Sequence, residues 1–173
     1  LPTQGLESEV IFMKVKDIMT RDPSVCDLNE SLAEAARMMW EADCGVLPVL
    51  KDGREVVGLL TDRDICMAMA MRDSNPAAVS AEAVITGEVY SVEPEDEIQK
   101  ALELMQQHRV RRLPVVDSEG ELKGMLSMND IVLKAQRKSD GKAPAIRYAD
   151  VVETYKAICA HQAPLQAQAA AGD

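Results

Sequence analysis

The chain has 173 residues, 47% of them hydrophobic, and a formal net charge of −10. That size and composition suit one globular domain or two small ones and exclude wholesale disorder. The acidic balance disfavours nucleic acid and anionic membranes as partners, because both bind dense Lys/Arg surfaces, and no apolar run approaches the roughly 20 residues that span a bilayer.

Residues 1–14 read as an N-terminal extension, with Leu1 to Gly5 set aside as a vector-derived remnant and Val10-Ile11-Phe12-Met13 as a short strand or docking turn. Val15 to Thr20 leads into Asp22-Pro23, an extended or turn signal, and Ser24-Val25-Cys26 suits a short strand. Ser31 and Glu34 have the spacing of a capping box. Leu32, Ala35, Ala36 and Met39 recur at helical spacing, which predicts an amphipathic helix over 30–42. Gly45 to Leu50 is an apolar strand, Lys51 to Arg54 a hairpin turn and Glu55 to Leu60 the returning strand. Pro48 favours an edge or a bulge there. Thr61 starts a second helix that runs to about Arg72.

Residues 73–80 are a linker, after which the plan recurs. A turn at Thr86-Gly87 precedes a strand over 89–92 and a helix from Pro94, a residue suited to the first helical position. Its stripe is Ile98, Ala101, Leu102 and Met105. A strand over 112–116, a turn over 117–120, a return over 122–126 and a helix over about 128–137 complete the second copy. A second linker follows over 138–145. Val151, Val152, Tyr155, Ile158 and Cys159 then share one face of a docking helix at about 146–161, too short to be stable alone. The tail beyond Pro164 reads as frayed, and His161 as solvent exposed.

The plan recurs because the sequence does. Gly58-Leu59-Leu60-Thr61-Asp62-Arg63-Asp64-Ile65 is matched sixty-six positions later by Gly124-Met125-Leu126-Ser127-Met128-Asn129-Asp130-Ile131. The same offset pairs Thr20 with Thr86, Ala35 with Ala101, Met39 with Met105, and Leu47-Pro48-Val49 with Leu113-Pro114-Val115. This is an internal repeat, over 15–72 and 81–137. Each copy of about 55 residues is marginal for a lone core, so the two are expected to bury their faces against each other.

These residues carry a family likeness over roughly 15–137. The openings (Asp17-Ile18-Met19-Thr20; Val84-Ile85-Thr86), the two Leu-Pro-Val strands and the two closing Gly-h-h-[Ser/Thr]-x-x-Asp-h motifs, where h is apolar, resemble a tandem pair of CBS domains, or Bateman module. The resemblance implies an α+β (α/β-like) fold: two β-α-β-β-α repeats related by a pseudo-twofold axis, with small sheets packed by helices around a cleft. It also implies an adenosine ligand (AMP, ADP, ATP or S-adenosylmethionine) and a homodimer.

Thr61 with Asp64, and Ser127 with Asp130, suit helix N-caps. A helix start is also an anion site, and within the family pattern a carboxylate at this place binds a ribose diol. In the acidic chain the cluster His108-Arg109-Val110-Arg111-Arg112 is the densest basic stretch. It suits either a solvated helix end or phosphate recognition by guanidinium forks. The resemblance puts Arg111 and Arg112 at the phosphate-binding place; strand alternation suggests that one of them reaches the ligand. The equivalent residues of the first copy, Gly45 and Val46, are uncharged, so the two clefts are expected to differ, with Arg63 a candidate cation for the first. The resemblance puts Thr20 and Thr86 near base or ribose, and Val46, Leu47, Leu113 and Pro114 at the adenine wall. Trp40 is expected to be partly buried, and the Met-rich run 66–71 to be core or dimer surface.

Cys26, Cys44, Cys66 and Cys159 are scattered, with no C-x-x-C, so reduced thiols are expected, in a cytoplasmic protein, and no zinc site. No catalytic motif stands out. The expectation is therefore a regulatory adenosine-nucleotide sensor, not an enzyme, acting on an unknown effector protein. The alternative is a dimerising structural or interaction module that binds no nucleotide.

Overall fold

The computed structural model describes residues 12–72, 74–85, 88–137 and 145–160. The expected turn at Thr86-Gly87, most of the second linker, the start of the chain through Ile11 and the tail from His161 lie outside the described residues. The described strands and α-helices are β1 (Thr20–Arg21), β2 (Cys26–Asp27), α1 (Leu32–Glu41), β3 (Val46–Lys51), β4 (Glu55–Thr61), α2 (Asp62–Arg72), α3 (Ile98–His108), β5 (Arg112–Val116), β6 (Leu122–Ser127), α4 (Met128–Lys134) and α5 (Tyr148–Cys159). The fold is α+β, with two three-stranded sheets in the orders β2-β3-β4 and β1-β6-β5.

The two hairpins are built alike. Antiparallel β3 and β4 turn through Asp52 and Gly53, both at positive φ, and their register slips between Val49 and Leu50. Antiparallel β5 and β6 slip at the matching place, between Val115 and Val116. Each irregularity follows the Leu-Pro-Val run, consistent with a proline that has no N–H to give a regular ladder. Two cores result. Leu32, Ala35, Met39, Leu47, Val49 and Leu60 build the first; Ile98, Ala101, Met105, Leu113, Leu126 and Ile131 build the second.

The openings of the repeats are exchanged. Val15 is buried in the second core, and β1 pairs antiparallel with β6, Thr20 opposite Met125. Conversely Ala81, Val84 and Ile85 pack in the first core, where the Leu32 N–H donates to the Val79 carbonyl at 2.9 Å. The glycines that open the closing motifs sit at these crossings. A Cβ on Gly124 would lie 2.6 Å from the Thr20 carbonyl oxygen, and one on Gly58 2.8 Å from Ile85 Cδ1. The motif glycine is thus a close-approach residue, and it locks each repeat to the start of the other.

Several expectations need correction. The strand over 89–92 reduces to one bridge, Val92 with Val115. The helix expected from Pro94 starts at Ile98, because the carbonyls of Pro94 and Asp96 accept the N–H groups of Lys16 and Val15 at 3.0 and 2.9 Å. The helix expected over 128–137 ends at Lys134, and Gln136 instead bridges Arg147. Trp40 is 87% exposed, since the stripe of α1 is Leu32, Ala35 and Met39 and the next position points away. The Met-rich run, by contrast, is in part the core expected of it: Ala68 is buried and Met69 packs on the core, while Met67 and Met71 are exposed.

The docking helix is present as α5, packed against α3 and α4. Its inner face is Val151, Thr154, Tyr155 and Ile158. Val152 and Cys159, expected on that face, are exposed. Thr154, the residue the apolar pattern omitted, is fully buried: its hydroxyl accepts from the Gln106 amide at 2.8 Å and donates to the Asp150 carbonyl at 2.8 Å.

Candidate binding clefts

Each closing motif ends a strand and starts a helix in one step. Ser127 caps α4: its hydroxyl oxygen accepts the Asp130 N–H at 3.3 Å. In return Asp130 Oδ2 accepts the Ser127 N–H at 2.8 Å and its hydroxyl at 2.6 Å. Thr61 and Asp64 repeat the arrangement at α2, with distances of 3.1, 3.0 and 2.6 Å. Both pairs therefore satisfy helix-start N–H groups before any ligand is considered.

Two of the clefts between the repeats border the closing motifs. The larger, about 540 Å³, is lined by the Ser127–Asp130 turn, by Arg111 and Arg112, by Thr20 of β1, and by Gly45 and Val46 of the first repeat. The smaller, about 310 Å³, is lined by Val46, Thr61, Asp62 and Arg63 together with Tyr90, Arg109, Arg111 and Arg112. Both arginines of the pair thus border both clefts.

Arg112 lies at the meeting point. A Cβ on Gly45 would stand 3.0 Å from Asp62 Oδ2 and 3.7 Å from the Arg112 guanidinium. The missing side chain at Gly45 thus leaves room for an acid of one repeat to approach a cation of the other. Burial holds the Arg112 guanidinium below its ordinary value, the charge of Arg111 adds to that, and Asp62 opposes it. A half-buried cation beside a second cation favours an anion between them.

Of the residues singled out from sequence, Thr20, Val46, Arg111, Arg112, Ser127 and Asp130 meet in the larger cleft, and Val46, Thr61, Arg63, Arg111 and Arg112 in the smaller. Leu47, Leu113 and Pro114 are buried and line neither. Asp64 is absent from both linings, and Thr86 lies outside the described residues. Sequence reasoning did not pick out Asp22, Asp43, Asp62, Tyr90 or Tyr155 as lining residues. Asp22 and Asp43 are left-handed, with φ of 49° and 48°, a conformation that Asp tolerates better than most residues. The Asp22-Pro23 turn signal was a visible pointer to the first.

Hydroxyls, a carboxylate and guanidinium forks around an open space are suited to holding a ribose and a phosphate without covalent chemistry. Among the described residues no group of three or more His, Cys, Asp and Glu is arranged to hold a metal ion. Nor is any described helix long and apolar enough to cross a membrane.

Comparison with known proteins agrees with this architecture. The sequence profile of the CBS domain matches twice, at residues 15–71 and 81–136. The uncharacterized protein YlbB of Bacillus subtilis is 34% identical over 125 residues, covering 71% of this chain and 82% of its own. Hypoxic response protein 1 of Mycobacterium tuberculosis is 32% identical over 148 residues, 86% of this chain and 95% of its own. A crystal structure of Hypoxic Response Protein I with two coordinated zinc ions superposes with a TM-score of 0.64 at 32% identity, covering 70% of this chain and 98% of that one. The CBS domain pair of protein MJ0100, solved with 5′-methylthioadenosine and S-adenosylmethionine, has a TM-score of 0.63 at 25% identity and covers 70% and 98%. CBSX2, solved with AMP, has a TM-score of 0.60 at 25% identity and covers 69% and 93%.

Proposed function

The chain belongs to the CBS-domain family, and from that premise we propose that it is a regulatory module that binds an adenosine ligand between its repeats and passes the resulting change to an effector protein. The observation that carries this reading is the larger cleft, where Ser127 and Asp130, the Arg111-Arg112 pair and Thr20 converge with the first repeat's Gly45 and Val46. The ligand-bound relatives MJ0100 and CBSX2 support adenosine as the class. Two guanidinium groups favour a phosphorylated member, AMP, ADP or ATP, over S-adenosylmethionine, whose own charge includes a cation. A ligand held between repeats shifts their relative arrangement to the extent that it binds one arrangement better.

The reading extends to a homodimer. Its candidate contacts are the exposed large apolar residues Trp40, Met71 and Leu133. The same residues favour the second reading, a dimerising interaction module that binds no nucleotide. Calorimetric titration of nucleotide-free protein with AMP, ATP and S-adenosylmethionine separates the two. Saturable binding of one of them, weakened by Asp130→Asn, is the expected result. Flat titrations with all three leave the interaction module as the function.

A further inference from the structure

We propose that α5, which lies beyond both matched repeats, is part of the ligand site: Tyr155 supplies the aromatic wall of the larger cleft against the ligand's base, so that ligand occupancy and the docking of α5 are coupled. The inference rests on the adenosine reading of that cleft.

The matched domains end at residue 136, and α5 runs from Tyr148 to Cys159. Tyr155 nevertheless lines the larger cleft together with Arg111, Ser127 and Asp130. The rest of that lining consists of small, aliphatic, thioether and polar side chains, and Tyr155 is the one aromatic ring among them. A purine needs a flat apolar surface, and stacking on an aromatic side chain is how proteins commonly give it one. The tyrosine is partly buried, packing on the second core while it borders the cleft.

The placement of Tyr155 is fixed by its neighbours. Thr154 is fully buried and pinned to α3 by the Gln106 amide. Val151, one turn earlier on the same face, and Ile146, just before the helix, are buried in the second core. The Gln99 amide donates to the Ala145 carbonyl at 2.7 Å, and the Gln136 N–H donates to the Ile146 carbonyl at 3.0 Å. These contacts set the rotation of α5, and one residue past Thr154 the helix turns Tyr155 toward the start of α4. A helix of this length has little stability of its own, so any contact the ligand makes to Tyr155 adds directly to the holding of α5. By linkage, whatever draws α5 away weakens ligand binding by the same factor. The appended helix is thus an element through which the state of the cleft reaches the outside of the repeats.

The test uses the full chain, titrated calorimetrically with AMP and with ATP, for wild type, Tyr155→Phe, Tyr155→Leu and Asp130→Asn. Tyr155→Phe keeps the ring and is expected to retain affinity. Tyr155→Leu keeps apolar packing but loses the aromatic face, and is expected to weaken binding at least about fivefold, as for loss of one base–aromatic contact. Hydrogen exchange with and without AMP is the second readout: amides of 148–159 are expected to gain protection on binding in wild type and not in Tyr155→Leu. Binding that Asp130→Asn weakens but Tyr155→Leu leaves unchanged, with no change in α5 protection, overturns the role of α5 and leaves the adenosine reading intact. Absence of AMP and ATP binding to wild type, with S-adenosylmethionine flat as well, overturns both.

Discussion

Asp130→Asn separates helix capping from ligand recognition at one position. Asp130 Oδ2 accepts both the backbone N–H and the hydroxyl of Ser127, and Oδ1 takes part in neither bond. An asparagine whose amide oxygen occupies the Oδ2 place keeps both, and converts the Oδ1 place from an acceptor to a donor. The helix start loses a favourable negative charge, about 0.3–1 kcal/mol, which is at most about 4 °C in Tm for a chain of this size. A ribose diol, by contrast, loses a charged acceptor, about 1.5–3 kcal/mol, or about 10- to 150-fold in Kd. The assay is a pair of measurements on one preparation: thermal unfolding without ligand, and calorimetric titration with AMP. Ser127→Ala serves as the complementary variant, since it removes the capping hydroxyl, about 1 kcal/mol, and leaves the Asp130 carboxylate in place. Wild-type AMP affinity in Asp130→Asn refutes the ribose assignment. A stability loss of several kcal/mol in that variant refutes the division of labour between the two oxygens.

Asp64 makes the same cap but lines neither cleft, so Asp64→Ala is expected to cost about 1 kcal/mol in urea unfolding and to leave AMP affinity unchanged in the same titration. Arg112→Gln is expected to weaken ATP by about tenfold or more, through loss of a charge-assisted contact, while adenosine binding stays at its wild-type value; competition assays at fixed salt measure the difference. Gly124→Ala drives a Cβ to within 2.6 Å of a backbone carbonyl, whereas Gly58→Ala meets the side chain of Ile85, Cδ1 at 2.8 Å and Cβ at 3.0 Å. Denaturant melts are therefore expected to show a loss of about 1–3 kcal/mol for Gly124→Ala, the range for overpacking, and a smaller loss for Gly58→Ala.

The unit that repeats in sequence was legible because both copies face the same demands. Each needs an apolar stripe at helical spacing, a proline-bearing strand and a capped helix start. The exchange of openings was not legible, since Val15 and Ala81 have the same apolar character whichever core receives them. The exchange also explains the largest error of element assignment. Glu93 to Glu97 has helix-start composition, but the carbonyls of Pro94 and Asp96 are already bonded to Lys16 and Val15, and a backbone acceptor taken by a segment distant in sequence cannot propagate a helix. Trp40 fails for a simpler reason. Tryptophan is usually well buried, and only its place one step off the stripe of α1 marks it as exposed.

The site divides along the same line. Residue types that suit nucleotide recognition were visible one by one: Ser127 with Asp130, Arg111 with Arg112, Thr20. Their convergence depends on β1 crossing to β6, which brings Thr20 opposite Met125. The difference between Asp64 and Asp130 was invisible, because the two motifs match position for position and the two caps match bond for bond. What separates them is the opposite wall. The turn at Ser127–Asp130 faces Thr20 and Tyr155, whereas the turn at Thr61–Arg63 faces Tyr90 and Arg109. Equivalent motifs thus need not do identical work: a cap is local, whereas a binding site requires a second surface, and in this chain the matched positions of the two opposite walls carry different residues, Ser24 and Asp43 in the larger cleft against Tyr90 and Arg109 in the smaller.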